Sequence, residues 1–357
     1  MDGIKFLNFY KDKKILVTGH TGFKGSWLIT WLHQLGAEVV GISLDPKTEK
    51  DNFVLCQLNK KIKDYRADIR DLKSITQIIE KERPEILFHL AAQPIVIDSY
   101  SDPVSNFDIN IMGTVNLLEA FRNSSSLMTG VFVTSDKCYD NIEKNYSYKE
   151  SDSMGGHDPY SASKGAAELV ISSYRKSFFS TGDKRIASVR AGNVIGGGDW
   201  SPFRLIVDVI NGIENKETIE IRNPKAKRPW QHVLEPLGGY LKLAAYMSDC
   251  VSFDEGWNFG PESSNIVSVE EILNETIKAY GEGSWLDVSK NEKLHEAQLL
   301  SLNIDKAKNK LNWKPLLDLK QTIFYTVEWY KRYKDENVFN ICVEQINNYT
   351  KLIKKNE

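Results

Sequence analysis

The chain has 357 residues, of which 41% are hydrophobic and 26% charged, and its formal net charge is −2. That length fits one large domain or two interlocked ones, and so small a net charge gives no field to gather nucleic acid or an anionic membrane. Neither partner is expected. Cys56, Cys138, Cys250 and Cys342 stand far apart, without CxxC or Cys/His spacing, so no disulfide frame and no metal site is expected. The start lacks a secretory apolar core and no run approaches the ~20 apolar residues of a membrane span, which leads to the expectation of a cytoplasmic protein.

"KKILVTG" reads as a strand closed by Gly19, and "FKGSWLITWLHQLG" as a helix that Gly36 stops. "EVVGISLD" is a second strand ending in Asp45, and "DLKSITQIIEKE" is a helix leading into the strand "ILFHLAA". "DINIMGTVNLLEAF" is helical from Asp108 and "GVFVTS" is a strand. "DPYSASKGAAELVISSYRKSF" is a long helix with Pro159 in its first turn, followed by the strand "RIASVRAG". This alternation predicts an α/β fold in which residues 1–192 form a doubly wound parallel (Rossmann) sheet, because right-handed crossovers lay helices on both faces. Beyond Gly192 the pattern loosens into an α-rich end, and residues 193–357 are expected to form mainly a smaller, mixed, substrate-binding domain.

"TGHTGFKG" places Gly19, Gly22 and Gly25 between the first strand and first helix, with Phe23 inside the turn. In that context the missing side chains let a pyrophosphate approach backbone N–H groups and the positive helix end. Asp45, at the end of the next strand, is placed to hydrogen-bond adenosine ribose hydroxyls and to favour NAD over NADP, or else to open an Asp-Pro turn. Asp68 and Ile69 in "ADIRD" are candidate neighbours of an adenine ring, or the cap of the following helix.

"YSASK" puts Tyr160 and Lys164 four apart on one helix face. A phenol is a poor base at neutral pH, but an ammonium and an oxidised nicotinamide beside it both favour the phenolate. The glycine turn and this pair together point to NAD-dependent chemistry at a hydroxyl. "TGHTGFKG", "LAAQP", "NIMGTVNLLEA" and "YSASK", in this order, resemble the extended short-chain dehydrogenase/reductase family of nucleotide-sugar enzymes over nearly the whole chain. "TSDKCYDN", "AGNVIGGGDW" and "RPWQHVLEPL" are similar to the branch that dehydrates CDP-glucose.

The resemblance implies roles. Tyr160 would take the sugar 4-OH proton, Lys164 would hold the nicotinamide ribose, and Ser135 would hydrogen-bond the 4-oxygen. Asn110 would order its helix and a water relay, Leu90, Ala91 and Ala92 would line the cofactor, and Asn193 would reach the substrate diphosphate. "WNFG" resembles a return strand, so a segment near residues 232–261 is expected to rejoin the first half. Related enzymes pair through the helices holding "NIMGTVNLLEA" and "YSASK", which implies a homodimer or a dimer of dimers. Arg204 and Arg228 offer guanidinium forks suited to phosphate, although each read alone is a surface charge.

Asp136 and Lys137 follow the strand "GVFV" and by themselves are compatible with a solvated turn. A 4,6-dehydratase must lose water across C5 and C6 after oxidising C4, which takes two further proton-transfer groups. The resembling dehydratases keep theirs here. Asp136 is therefore assigned as general acid for the C6 hydroxyl, and Lys137 as either a neutral base at C5 or an electrostatic stabiliser of the enolate.

Overall fold

The computed structural model describes residues 3–249, 251–289 and 300–356. Seven strands form the central sheet: β1 (Lys14–Thr18), β2 (Glu38–Ser43), β3 (Lys63–Arg66), β4 (Ile86–His89), β5 (Thr129–Val133), β6 (Arg185–Arg190) and β7 (Gly256–Asn258). Their spatial order is β7-β6-β5-β4-β1-β2-β3, every neighbouring pair being parallel. The order reverses between β1 and β4, in register at Thr18 opposite His89, so the crevice for a ligand opens beyond their carboxyl ends.

The central strands β1, β4 and β5 are buried along almost their whole length because both faces are covered, whereas the edge strand β3 is polar and has no buried residue. Alternate residues nevertheless separate into two cores. Ile15, Val17, Phe88 and Val131 pack with Trp27, Trp31 and Tyr240 on one face. Leu16, Leu87 and Phe132 pack with Leu117, Leu118, Phe121 and Ile171 on the other. Burying each such side chain contributes about 1.5–3 kcal/mol.

The helix Phe23–Gln34 is buried from Gly25 to Leu32, because the sheet lies on one side and the chain's last helix, Val338–Asn356, on the other. Trp31 meets Tyr349 edge to face there, with ring centroids 5.7 Å apart. The helix Pro159–Phe178 starts at Asp158, whose side chain accepts from the Ser161 N–H, and Pro159 supplies a preset first turn.

After β6 the helix Leu205–Asn215, the capped helix Val269–Tyr280 and the paired strands Ile219–Ile221 and Trp285–Asp287 enclose a small separate core of Val209, Ile213, Ile219, Ile221 and Leu273. The helix Leu234–Asp249 and strand β7 instead join the main core and sheet, as do the aromatic residues of Leu319–Arg332. Among the described residues no helix is long and apolar enough to cross a membrane, and no group of three His, Cys, Asp or Glu could hold a metal.

Candidate active site

The turn from β1 into the helix at Phe23 is built for close approach. Gly19 has φ +72, and a Cβ on it would lie 2.6 Å from the Ala91 nitrogen. A Cβ on Gly25 would lie 2.1 Å from the Gly19 carbonyl oxygen. The Gly19 backbone thus touches the Leu90–Ala91 backbone at the end of β4, where Ala91 N–H donates to Thr18 Oγ1 at 3.3 Å. Such a cradle, bare of side chains and at a helix N-terminus, fits the pyrophosphate of a dinucleotide.

At the end of β2, Asp45 is exposed and pairs with Arg66 Nε at 3.0 Å. Asp68 binds the Arg70 guanidinium at 2.7 Å, and that hydrogen-bonded guanidinium holds its carboxyl below the usual range. Ile69 is buried, and its Cδ1 would sit 2.5 Å from a Cβ on Gly113. Asn110 lies in a single π-turn, Asp108–Met112, that leads into the helix Gly113–Asn123. Its amide nitrogen donates to Gln93 O (3.1 Å) and Ser163 Oγ (2.9 Å), and its oxygen accepts from Gln93 N–H (2.9 Å), so it joins the loop after β4 to the helix of Tyr160.

Ser135, Asp136, Tyr160 and Lys164 are all buried. They meet where β5 ends. Ser135 Oγ donates to Asp136 Oδ1 at 3.0 Å and accepts from Lys137 N–H at 3.2 Å. Burial raises the Tyr160 pKa, opposed by the neighbouring Ser135 hydroxyl and by the positive charge of Arg204, while Asp136 and Asp158 push it further up. The Lys164 ammonium lies 6.0 Å from the Tyr160 ring centroid. Burial, with repulsion from Lys24, lowers the Lys164 pKa to about 8. The half-buried Lys24 of "GFKG" is likewise lowered to about 8 by desolvation and by Arg204, with Asp136 and Asp199 opposing.

Lys137 is exposed. The dry surroundings that a neutral amine base needs are therefore not supplied by the protein around it, and any such surroundings come from a bound sugar. Arg204 stands exposed at the N-terminal boundary of its helix without a side-chain capping bond, and its positive charge holds down the pKa of Tyr160 and of Lys24. Asn193, with φ +46, directly follows Gly192, whose Cα abuts the Asp136 carboxylate. Arg228 lies on the strand Lys227–Pro229, antiparallel to Ile266–Ser268, with Nη1 donating to Lys227 O.

The sequence reading passed over Lys24, Glu168, Arg190, Gly192 and Asp199. Gly192 is the sharpest omission: a Cβ there would lie 1.8 Å from Asp136 Oδ2. In "IGGGDW", Gly196, Gly197 and Gly198 are buried, and a Cβ on Gly197 would lie 1.9 Å from Trp329 Cγ. Trp27 Nε1 donates to Gly197 O at 2.9 Å, pinning that loop to the phosphate-turn helix. His232 is fully buried in the core. Burial pushes its pKa down to about 3, and its ring packs edge to face on Trp27 and Tyr325.

Residues 16–326 match the family described as GDP-mannose 4,6 dehydratase. The chain belongs to that family. Within the GDP-mannose 4,6 dehydratase family, this member is 44% identical over 350 residues to the CDP-glucose 4,6-dehydratase of Salmonella typhimurium, covering 96% of this chain and 97% of that one. Its fold matches the epimerase Mth375 of Methanothermobacter thermautotrophicus with a TM-score of 0.78 at 22% identity, over 93% and 96% of the two chains. It also matches the dTDP-glucose 4,6-dehydratase of Bacillus anthracis, solved in complex with NAD, with a TM-score of 0.73 at 21% identity over 90% and 97%. These likenesses confirm the doubly wound α/β architecture read from the alternating strands and helices.

Proposed function

We propose that the protein is a hydro-lyase that binds NAD and converts CDP-glucose to CDP-4-keto-6-deoxyglucose and water. The observation that carries this reading is the buried Ser135 hydroxyl, which donates to the Asp136 carboxylate and lies beside the Tyr160 phenol. An oxidising and an eliminating group thereby meet at one hydroxyl. The 44% identity to a CDP-glucose 4,6-dehydratase over nearly the full length of both chains supports the choice of reaction and of base.

Gly19, Gly22, Phe23, Gly25, Asp45, Asp68, Ile69, Leu90, Ala91, Ala92 and Asn110 would surround NAD, with Tyr160 and Lys164 at its nicotinamide end. NAD supplies a hydride acceptor for C4 and a hydride donor for C6. Tyr160 removes the proton of the C4 hydroxyl, with Ser135 holding the oxygen. Lys164 anchors the nicotinamide ribose, and its charge favours the phenolate that burial alone opposes. Asp136 gives a proton to the departing C6 hydroxyl. The C5 proton goes to Lys137, acting as a neutral amine once the bound sugar covers it, and the ammonium so formed stabilises the enolate. Asn193, Arg204 and Arg228 would hold the diphosphate.

The reading carries a cytoplasmic location and a role in making deoxysugar precursors. It also carries a homodimer or dimer of dimers, for which Met112 and Leu169 present exposed apolar side chains on the two segments expected to pair. The test is incubation of the purified protein with CDP-, UDP-, TDP- and GDP-glucose in deuterated solvent. The expected result is a 4-keto-6-deoxy product carrying deuterium at C5 from CDP-glucose, lost in both Asp136→Asn and Lys137→Ala while NAD stays bound. A C4 epimer without solvent hydrogen would make it an epimerase, and no product from any sugar a non-catalytic NAD-binding module.

A further inference from the structure

Behind the catalytic turn lies a buried ion pair that none of the steps above uses. Tyr160, Lys164 and Glu168 stand at i, i+4 and i+8, on one stripe of the helix Pro159–Phe178. Glu168 is 4% exposed and Arg190, at the end of β6, is likewise 4% exposed. The guanidinium grips the carboxylate with two bonds, Nε to Oε1 at 2.9 Å and Nη2 to Oε2 at 2.8 Å. Thr134 Oγ1 adds a bond to Oε1 at 2.5 Å, and Ser188 Oγ one to Oε2 at 2.7 Å. Thr134 is the residue immediately before Ser135.

The other end of the same turn is held by the same guanidinium. Arg190 Nη1 donates to the Tyr139 hydroxyl at 2.5 Å, and that hydroxyl donates to Asn258 Oδ1 of β7 at 2.7 Å. The Tyr139 ring stacks on Tyr148. Between the two anchors the turn lies against the helix, where a Cβ on Gly165 would come within 3.1 Å of the Cys138 carbonyl oxygen. Thr134 and Tyr139 thus bracket Ser135, Asp136, Lys137 and Cys138, and both hang from one salt bridge rooted in the helix of Tyr160.

We propose that Glu168, Arg190 and Tyr139 form a positioning clamp that fixes the elimination groups relative to the oxidising tyrosine, so that one bound sugar meets both without rearranging. The clamp rests on the dehydratase reading and deepens it. Its members touch neither sugar nor cofactor; they act through the turn.

Tyr139→Phe keeps the stacked ring and deletes only the hydroxyl between Arg190 and Asn258. With CDP-glucose as substrate, kcat should fall about 10- to 100-fold, while KM and bound cofactor stay within about twofold. Oxidation by Tyr160 should continue while elimination lags, so reduced cofactor should accumulate during turnover. Without sugar, amide hydrogen exchange across residues 134–139 should quicken by about tenfold or more, with β1 and β4 still protected. Turnover within about twofold of the parent, or oxidation and elimination lost together along with cofactor, would overturn the clamp. Unchanged exchange at residues 134–139 overturns it whatever the substrate, whereas a parent protein inert towards CDP-glucose defeats only the dehydratase reading.

Discussion

Gly192→Ala tests whether the position of Asp136, rather than its mere presence, governs elimination. The added methyl would lie 1.8 Å from Asp136 Oδ2 and 2.2 Å from its Cγ. Ordinary contact begins near 3.4 Å, so the carboxylate must retreat by roughly 1.5 Å, and a displacement of about 1 Å at a reacting group costs on the order of 100-fold in rate. The expected loss in kcat is therefore about 100-fold or more, equivalent to about 2.7 kcal/mol in the barrier. The assay is steady-state formation of the 4-keto-6-deoxy sugar, with cofactor content and thermal melting recorded in parallel. A companion cycle read by thermal melting supplies the internal control: on an Asp136→Ala background, where no carboxylate remains to be displaced, Gly192→Ala should lower the melting temperature less than it does in the parent. Turnover of Gly192→Ala within about threefold of the parent, or the same melting loss on both backgrounds, would refute the reasoning.

Two further outcomes concern buried charge. Lys164 is lowered from 10.5 to about 8 by burial and by Lys24, so the fold bears the cost of its charge below pH 8 and is relieved of it as pH rises towards 10.5. In urea unfolding of the cofactor-free protein, Lys164→Met should therefore gain about 3 kcal/mol over the parent at neutral pH, a gain that fades by pH 10.5. Glu235 is buried and raised from 4.5 to about 7 by desolvation, although it accepts from Leu316 N–H, Leu317 N–H and the Tyr349 hydroxyl. Its raised value favours folding below pH 4.5, and that favour is lost as pH rises to 7, so the stability of Glu235→Gln relative to the parent should improve by about 3 kcal/mol over that interval and stay level above it.

What could be read from the chain alone was local. The phosphate turn needs three glycines within seven residues between a strand and a helix, and Tyr160 and Lys164 sit one helical turn apart. Both patterns are written within a few positions. Glu168 stood on that same stripe, one more turn along, and extending the four-residue period would have flagged it. Gly192, Arg190 and Asn258 acquire their meaning from contacts with residues 22 to 119 positions away, which no periodicity encodes. Lys24 was hidden for another reason. It lies inside a motif whose glycines drew the attention, and its effect on Lys164 depends on the folded cleft. The exposure of Lys137 likewise depended on the path of the turn after β5, which the sequence does not specify.

The packing of the last helix on the phosphate-turn helix has a consequence for how the molecule is made. Trp31 finds its aromatic neighbour in Tyr349, and the Gly197 loop that receives the Trp27 indole rests on Trp329. A ribosome delivers the nucleotide-binding half first, yet Tyr349, which packs on Trp31, emerges 318 residues after it. Until then a tryptophan-rich flank stays bare, making the nascent half a natural client for chaperones. A protein shortened at its carboxyl end would lose grip on the cofactor without losing a single group that touches it.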